Sequence, residues 1–173
     1  MLKYQFIHST RHPDYANIQS LYRHSFPPNE RKDLVKLIDD DSFAKVVSFH
    51  DEAQWVGFAS LLIVRSIVHI IYFCVEPKLR DKGYGSRILQ TIQTAHPDQA
   101  ILVDIETIHE HIDNREQRVR RKAFYLRNGY QETNIQYTWQ NESYEILSAQ
   151  KTITPDDFQR FWDTLYQNGF EGY

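Results

Sequence analysis

Arg80-Asp81-Lys82-Gly83-Tyr84-Gly85 is the stretch that decides how this chain reads. An apolar run, Ile67 to Val75, precedes it and stops at Glu76-Pro77. Behind it, Tyr84, Ile88, Leu89, Ile92 and Ala95 fall on one face of a helix. The order is strand, basic glycine loop, helix start. Amide groups at a helix start lack partners and sit at the positive end of the helix dipole, so they attract an anion. Gly83 and Gly85 let a ligand approach the backbone, and Arg80 and Lys82 add positive charge. The stretch is suited to holding a phosphate.

Working outward, Tyr4 to His8 reads as a short strand, and Pro13 opens a helix with Tyr15, Ile18, Leu21, Tyr22 and Phe26 on one side. Pro27-Pro28 breaks it. A second helix carries Leu34, Leu37 and Ile38 and is closed by Asp39-Asp40-Asp41. Phe43 to Phe49 and Gln54 to Val64 form an antiparallel pair turning near Asp51-Glu52, and Ile67 to Val75 extends that meander. The helix after the glycine loop ends near His96-Pro97. Ala100 to Ile105 is apolar enough for a buried parallel strand. Val119 to Asn128 is helical, with Gly129 as its C-cap. Gln136 to Trp139 and Tyr144 to Ser148 make a closing hairpin around Asn141-Glu142. Thr154 and Pro155 start a last helix showing Phe158, Phe161, Trp162, Leu165 and Tyr166 on one face. The fold class is mixed α/β, with an antiparallel first half and one strand–helix–strand crossover. One domain over residues 1–173 is expected.

Composition removes several function classes. A net charge of −3 gives no basic field, so neither nucleic acid nor an anionic membrane is an expected partner. The one cysteine, Cys74, excludes an internal disulfide and reads as an inert buried thiol. No apolar stretch reaches transmembrane length, and Met1-Leu2-Lys3-Tyr4-Gln5 has no signal-peptide core, so a cytoplasmic protein is the simplest reading. His109-Glu110-His111 sits in a polar loop, where histidines are usually solvated, and no metal is expected.

Three phosphate loops compete for the glycine stretch. A Walker-type loop fails because no Gly-Lys-Ser/Thr follows the glycines. A dinucleotide fingerprint has Gly83-Tyr84-Gly85-Ser86-Arg87 in its favour, with Asp104 about twenty residues on. Against it, Ile88 stands where the third glycine belongs, Pro77 to Lys82 is too long for the tight turn, and an antiparallel meander lies in front.

The third reading is a resemblance. Arg80-x-x-Gly83-x-Gly85, after a strand ending Val75-Glu76-Pro77, resembles the acyl-CoA-binding motif of the Gcn5-related N-acetyltransferases, the GNAT family. Ala123-Phe124-Tyr125-Leu126-Arg127-Asn128-Gly129-Tyr130 resembles that family's aromatic-Tyr-x-x-x-Gly-aromatic segment. The order of elements from Lys3 to Gln150 is similar to the whole family fold, and the helix from Thr154 onward lies outside that core. The resemblance implies acetyl-CoA in a cleft where the strand Ile67–Val75 splays from Ala100–Ile105. The pyrophosphate would sit on backbone amides from Lys82 to Ser86, and pantetheine would pair with backbone at Phe73, Cys74 and Val75. The reaction would be direct attack by a primary amine of a small molecule or peptide, with no covalent enzyme intermediate.

Tyr125, four residues before Gly129, stands where the family often places the acid that protonates the leaving thiolate. A phenol stays protonated at neutral pH and can donate. For the base, Asp104 and Glu106 are two apart on a strand and share a face; Asp104 aligns with the family's usual carboxylate. The family also places an Asn against pantetheine; here the segment Thr107 to Arg118 is longer, and Asn114 is the residue available. Glu30 and Arg31, in Pro28-Asn29-Glu30-Arg31-Lys32, lie where the family bounds its acceptor pocket. The run Arg115, Arg118, Arg120, Arg121, Lys122 reads chiefly as a solvated helix face. The last helix serves either as cover for the core or as a homodimer surface. A rival from another class is a non-catalytic acyl-CoA-binding module.

Overall fold

The computed structural model describes residues 1–39 and 42–170. Asp40 and Asp41, expected to close the second helix, lie outside the described residues. Seven strands form one sheet: β1 (Lys3–Ile7), β2 (Ala44–Asp51), β3 (Gln54–Val64), β4 (Ile67–Val75), β5 (Ala100–Glu106), β6 (Tyr130–Trp139) and β7 (Glu142–Ala149). Their order across the sheet is β1-β2-β3-β4-β5-β7-β6. Only β4 and β5 run parallel; every other neighbouring pair is antiparallel. The helices are α1 (Tyr15–Ser25), α2 (Leu34–Asp39), α3 (Tyr84–Ala95), α4 (Arg115–Arg127) and α5 (Pro155–Gln167). The mixed α/β expectation is met and the expected crossover is β4–α3–β5, but it is not the single one: β5–α4–β6 also crosses over, leaving β7 to fill the place between β5 and β6.

Alternation along each strand builds two cores. Ile18, Leu21 and Tyr22 of α1, Leu34, Leu37 and Ile38 of α2, and Phe161 and Leu165 of α5 pack on one face. Ile88, Leu89 and Ile92 of α3 and Tyr125 of α4 pack on the other. On β5, Leu102 belongs to the first core and Ile101, Val103 and Ile105 to the second.

One irregularity positions the site. The β3–β4 ladder pairs Ser60 with Tyr72 and Leu61 with Ile70, so Ile71 is an extra residue in β4. A bulge of this kind swaps the faces of everything beyond it. Val68 and Ile70 face α3, whereas Tyr72 and Cys74 face α1 and α2. The same point ends the parallel pairing: β4 matches β5 from Ile67↔Ala100 to Ile70↔Val103 and no further. Ile71–Val75 and Asp104–Glu106 therefore diverge, leaving a cleft with free backbone along β4.

Boundaries differ from the sequence reading where apolar periodicity was weak. The first helix starts at Tyr15 instead of Pro13. Helix α4 begins at Arg115, before Val119, because its first turn is all charged or amide side chains and only Arg118 and Tyr125 are buried. The irregular segment after β5 therefore ends at Asn114. Strand β6 starts at Tyr130, before Gln136; it is a sheet edge, and its Gln131 and Glu132 are exposed. The basic run on α4 is not simply solvated. Arg118 is buried, donates to both Glu142 carboxylate oxygens at 3.0 Å and to the Thr107 carbonyl at 2.9 Å. Lys122 pairs with Glu132 and Glu145. Among the described residues no helix is long and apolar enough to cross a membrane.

Candidate active site

At the end of β4 the chain turns through Pro77–Leu79, whose Leu79 is buried, into the glycine loop. Asp81 and Gly83 have φ of 60° and 79°, the left-handed region that favours glycine at position 83. No side chain caps α3, and the Arg87 amide, reaching the Gly83 carbonyl at 3.2 Å, opens its hydrogen-bond ladder. The amides of Tyr84, Gly85 and Ser86 are thus left without intrahelical partners. Arg80 and Lys82 are exposed beside them, and Arg80 Nε donates to the Val75 carbonyl at 3.4 Å.

The Tyr84 side chain does a different job from its amide. Its hydroxyl donates to Asp51 at 2.9 Å, and Arg87 donates to the same carboxylate at 2.6 and 3.0 Å. This ties the first turn of α3 to the β2–β3 turn. The Arg87 guanidinium, then the Tyr84 hydroxyl, hold the Asp51 carboxyl at about 2. The unfolded value is about 3.9, so the folded carboxyl is depressed; its stabilisation is complete above pH ~4 and lost as pH falls toward 2. Thermal unfolding of wild type and Asp51→Asn followed between pH 5 and pH 2 should show a gap in midpoint that narrows across that window. A gap of constant size would mean that the clamp does not form.

Inside the cleft, Gly85 faces the rings of Phe73 on β4 and Phe124 on α4. Tyr125 follows Phe124 and is 9% exposed. Burial pushes its hydroxyl up to about 12; Arg121 opposes that shift, and Asp104 and Cys74 add to it. The Cys74 thiol is pushed up to about 11, also by burial, so it is protonated and inert at neutral pH. Cys74 and Asp104 thus lie close enough to act on the Tyr125 hydroxyl, although the three belong to β4, β5 and α4.

On the α1–α2 side the cleft opens into a cavity of about 170 Å³. Tyr72, Tyr137, Trp139 and Tyr144 wall it, and Glu30, Asp104, Glu106 and Arg121 supply its charges. Asp104 and Glu106 do share this face, but both are already engaged. Asp104 accepts hydrogen bonds from His69 Nε2 on one oxygen and the Tyr137 hydroxyl on the other. Glu106 is paired with Arg121. His69 is wholly buried, with its ring among Phe158, Phe161 and Trp162 of α5. A carboxylate oxygen accepts, so the His69 Nε2 carries the hydrogen in this contact. Burial and the Asp104 charge drive the Tyr137 hydroxyl well above its usual range, so it stays a donor.

Glu30 stands at the mouth of this cavity. The Tyr72 hydroxyl donates to its backbone carbonyl at 2.8 Å. Its carboxyl is raised by burial and then by Glu106, with Arg121 acting against them. Arg31 lines a second, larger groove of about 890 Å³ that meets the first at Glu30 and Trp139. Asn114 is set apart from these groups: it starts α4, and its Oδ1 accepts from Arg118 Nε at 3.0 Å. Among the described residues no group of three or more His, Cys, Asp or Glu is arranged to hold a metal ion. Sequence reasoning overlooked His69 and Tyr137. His69 carried one faint signal, as the sole basic side chain of the run Ile67–Cys74; Tyr137 carried none.

Comparison with known proteins follows this geometry. A sequence model of the acetyltransferase (GNAT) domain matches residues 43–132. A search of curated proteins returns no match. Among solved structures, a protein described as a GNAT-family acetyltransferase from Bacteroides thetaiotaomicron superposes with a TM-score of 0.81 at 19% identity, covering 99% of both chains. The ribosomal-protein-S18-alanine N-acetyltransferase of Escherichia coli gives 0.60 at 13% identity, over 91% of this chain and 98% of that one. An acetyltransferase of Bacillus subtilis, solved in complex with CoA, gives 0.57 at 14% identity, over 86% and 98%. At such identities these likenesses concern the fold.

Proposed function

As this chain belongs to the GNAT acetyltransferase family, we propose that it moves the acetyl group of acetyl-CoA to a primary amine of a small molecule or peptide by direct attack. The observation that carries the reading is the divergence of β4 from β5 beside an uncapped helix start. The residues fit the coenzyme. Unpaired amides at Tyr84, Gly85 and Ser86, with Arg80 and Lys82 alongside, suit a pyrophosphate. The free backbone of Phe73, Cys74 and Val75 suits an extended amide chain such as pantetheine. Asn114, committed to Arg118, is a weaker candidate for that contact. A structural relative in complex with CoA supports the choice of ligand.

Bound coenzyme supplies an activated thioester; the remaining work falls to side chains of this chain. Tyr125, protonated and at the cleft, is the proposed acid for the departing sulfur. The carboxylates of the acceptor cavity, Asp104 and Glu106 among them, attract the cationic amine, and one carboxylate of the cavity accepts its proton. Glu30 and Arg31 border the space where the acceptor would enter. Cys74 does no chemistry in this scheme, and its raised thiol agrees with that.

The test is a panel of amines with acetyl-CoA, read by release of free thiol: 1,4-diaminobutane, glucosamine, lysine and a tetrapeptide with a free N-terminus. Turnover of at least one, with the acetyl group found on nitrogen, is the expected result. CoA binding with no turnover of any amine would favour a non-catalytic acyl-CoA-binding module instead.

A further inference from the structure

We infer that Glu30 is the residue that takes the proton from the acceptor amine, while Asp104 serves as a fixed anion that holds the amine in place. This rests on the acetyl-transfer reading above and divides the work among the cavity's three carboxylates. Asp104 receives one donor on each oxygen, His69 Nε2 and the Tyr137 hydroxyl, so both of its oxygens are already occupied. Glu106 is tied to Arg121, and protonating it would give up an ion pair. The carboxylate of Glu30 has no hydrogen-bond or ion-pair partner among the described residues. It also stands where the larger groove meets the inner cavity, on the path of an entering acceptor.

Its placement is firm although its side chain is unpaired. The Tyr72 hydroxyl donates to the Glu30 carbonyl at 2.8 Å and accepts from the Lys32 amide at 3.0 Å. Tyr22 adds a hydrogen bond to the Lys32 carbonyl at 3.0 Å. Tyr72 is aimed there by the bulge at Ile71, so the irregularity that opens the cleft also fixes the proposed base. The charged and titratable groups facing Glu30 are Glu106 on β5, Arg121 on α4, Tyr72 on β4 and Tyr144 on β7, with Arg31, Lys32 and Asp33 following it in its own segment. Burial and the nearby Glu106 raise its carboxyl, which makes it a better base at neutral pH.

The proton balance closes. The arriving ammonium gives one proton to Glu30, which later passes it to solvent through the groove. The freed lone pair forms the N–C bond as the C–S bond breaks. Sulfur takes the Tyr125 proton, and the nitrogen's second surplus proton restores that phenol through water.

The experiment compares kcat and KM from pH 6 to pH 10 for wild type, Glu30→Gln, Glu30→Asp and Asp104→Asn, using the panel amine that wild type turns over fastest. Glu30→Gln should lower kcat by about 100-fold at pH 7. The deficit should close as pH approaches the chosen amine's own pKa, about 10.4 for a lysine side chain and about 8 for a peptide N-terminus, because the acceptor then arrives neutral. Glu30→Asp keeps a carboxylate, so it should retain the wild-type profile shape at reduced kcat. Asp104→Asn should raise KM by about 10-fold or more, with a deficit that pH does not repair. Wild-type kcat in Glu30→Gln at pH 7, a deficit equal at every pH, or repair by pH in Asp104→Asn instead would overturn the assignment. No turnover of any amine by wild type would overturn the acetyl-transfer reading, and this inference with it.

Discussion

Tyr125→Phe should fold, melt and bind CoA like wild type, yet turn over amines about 100- to 10,000-fold more slowly. The substitution removes one oxygen from a buried ring. That oxygen has no hydrogen-bond partner among the described residues, so its loss leaves no group stranded. The ring's contacts with Phe124 and Tyr130 persist. A loss confined to turnover would therefore report chemistry.

Whether Tyr125 can act as the acid depends on matching proton affinities. A hydroxyl pushed up to about 12 is a reluctant donor to an ordinary thiolate near 8.5. The cleft corrects that mismatch. Cys74, a buried thiol on the adjacent β4, is pushed up to about 11 by burial, with Ser25 and Arg80 acting against that shift. A CoA thiolate released there meets the same desolvation, and its proton affinity rises toward that of the phenol. Product sulfur thus becomes basic just where Tyr125 stands. Single-turnover acetylation of Tyr125→Phe, with CoA affinity measured alongside, checks this. Turnover within a few-fold of wild type would remove Tyr125 from the mechanism.

The parts of this arrangement that could be read from the chain are those made locally. Gly83, Gly85, Arg80 and Lys82 act within six residues, and a helix start follows from spacing alone. The strands of the meander and the crossover emerged from apolar runs for the same reason. The bulge at Ile71 stayed hidden because His69-Ile70-Ile71-Tyr72-Phe73 is apolar or aromatic on both faces apart from His69, so no alternation marks the swap. The clamp on Asp104 stayed hidden because it joins β4, β5 and β6, which meet only through sheet order. Arg118 was misjudged because a charged residue on a polar helix face looks solvated; it is buried only because Glu142, twenty-four residues on, offers both oxygens.

A second large effect is expected at Gly57, which periodicity treats as one more residue of β3. It lies opposite Val75, and a Cβ added there would stand 2.1 Å from the Cys74 carbonyl oxygen and 3.1 Å from the Val75 Cα. Those atoms are backbone, so no side-chain rotation can relieve the clash. The ladder leaves little slack, since the Glu76 amide reaches the Val56 carbonyl at 2.8 Å just beyond. Gly57→Ala must therefore push the end of β4 away from β3, at a cost of about 3 kcal/mol. For a chain of this size that lowers the melting temperature by roughly 6–12 °C. The displaced residues, Phe73 to Val75, are those proposed to pair with pantetheine, so CoA affinity should fall as well, even well below the melting temperature. Leu165→Ala, which empties a fully buried position on α5, is the control. It should cost 2–5 kcal/mol without touching that strand, and should keep wild-type CoA affinity. Equal CoA affinity in the two variants at matched fractional folding would separate β4 from coenzyme binding, whereas a loss in Gly57→Ala alone would tie the ligand to the backbone that the bulge sets free.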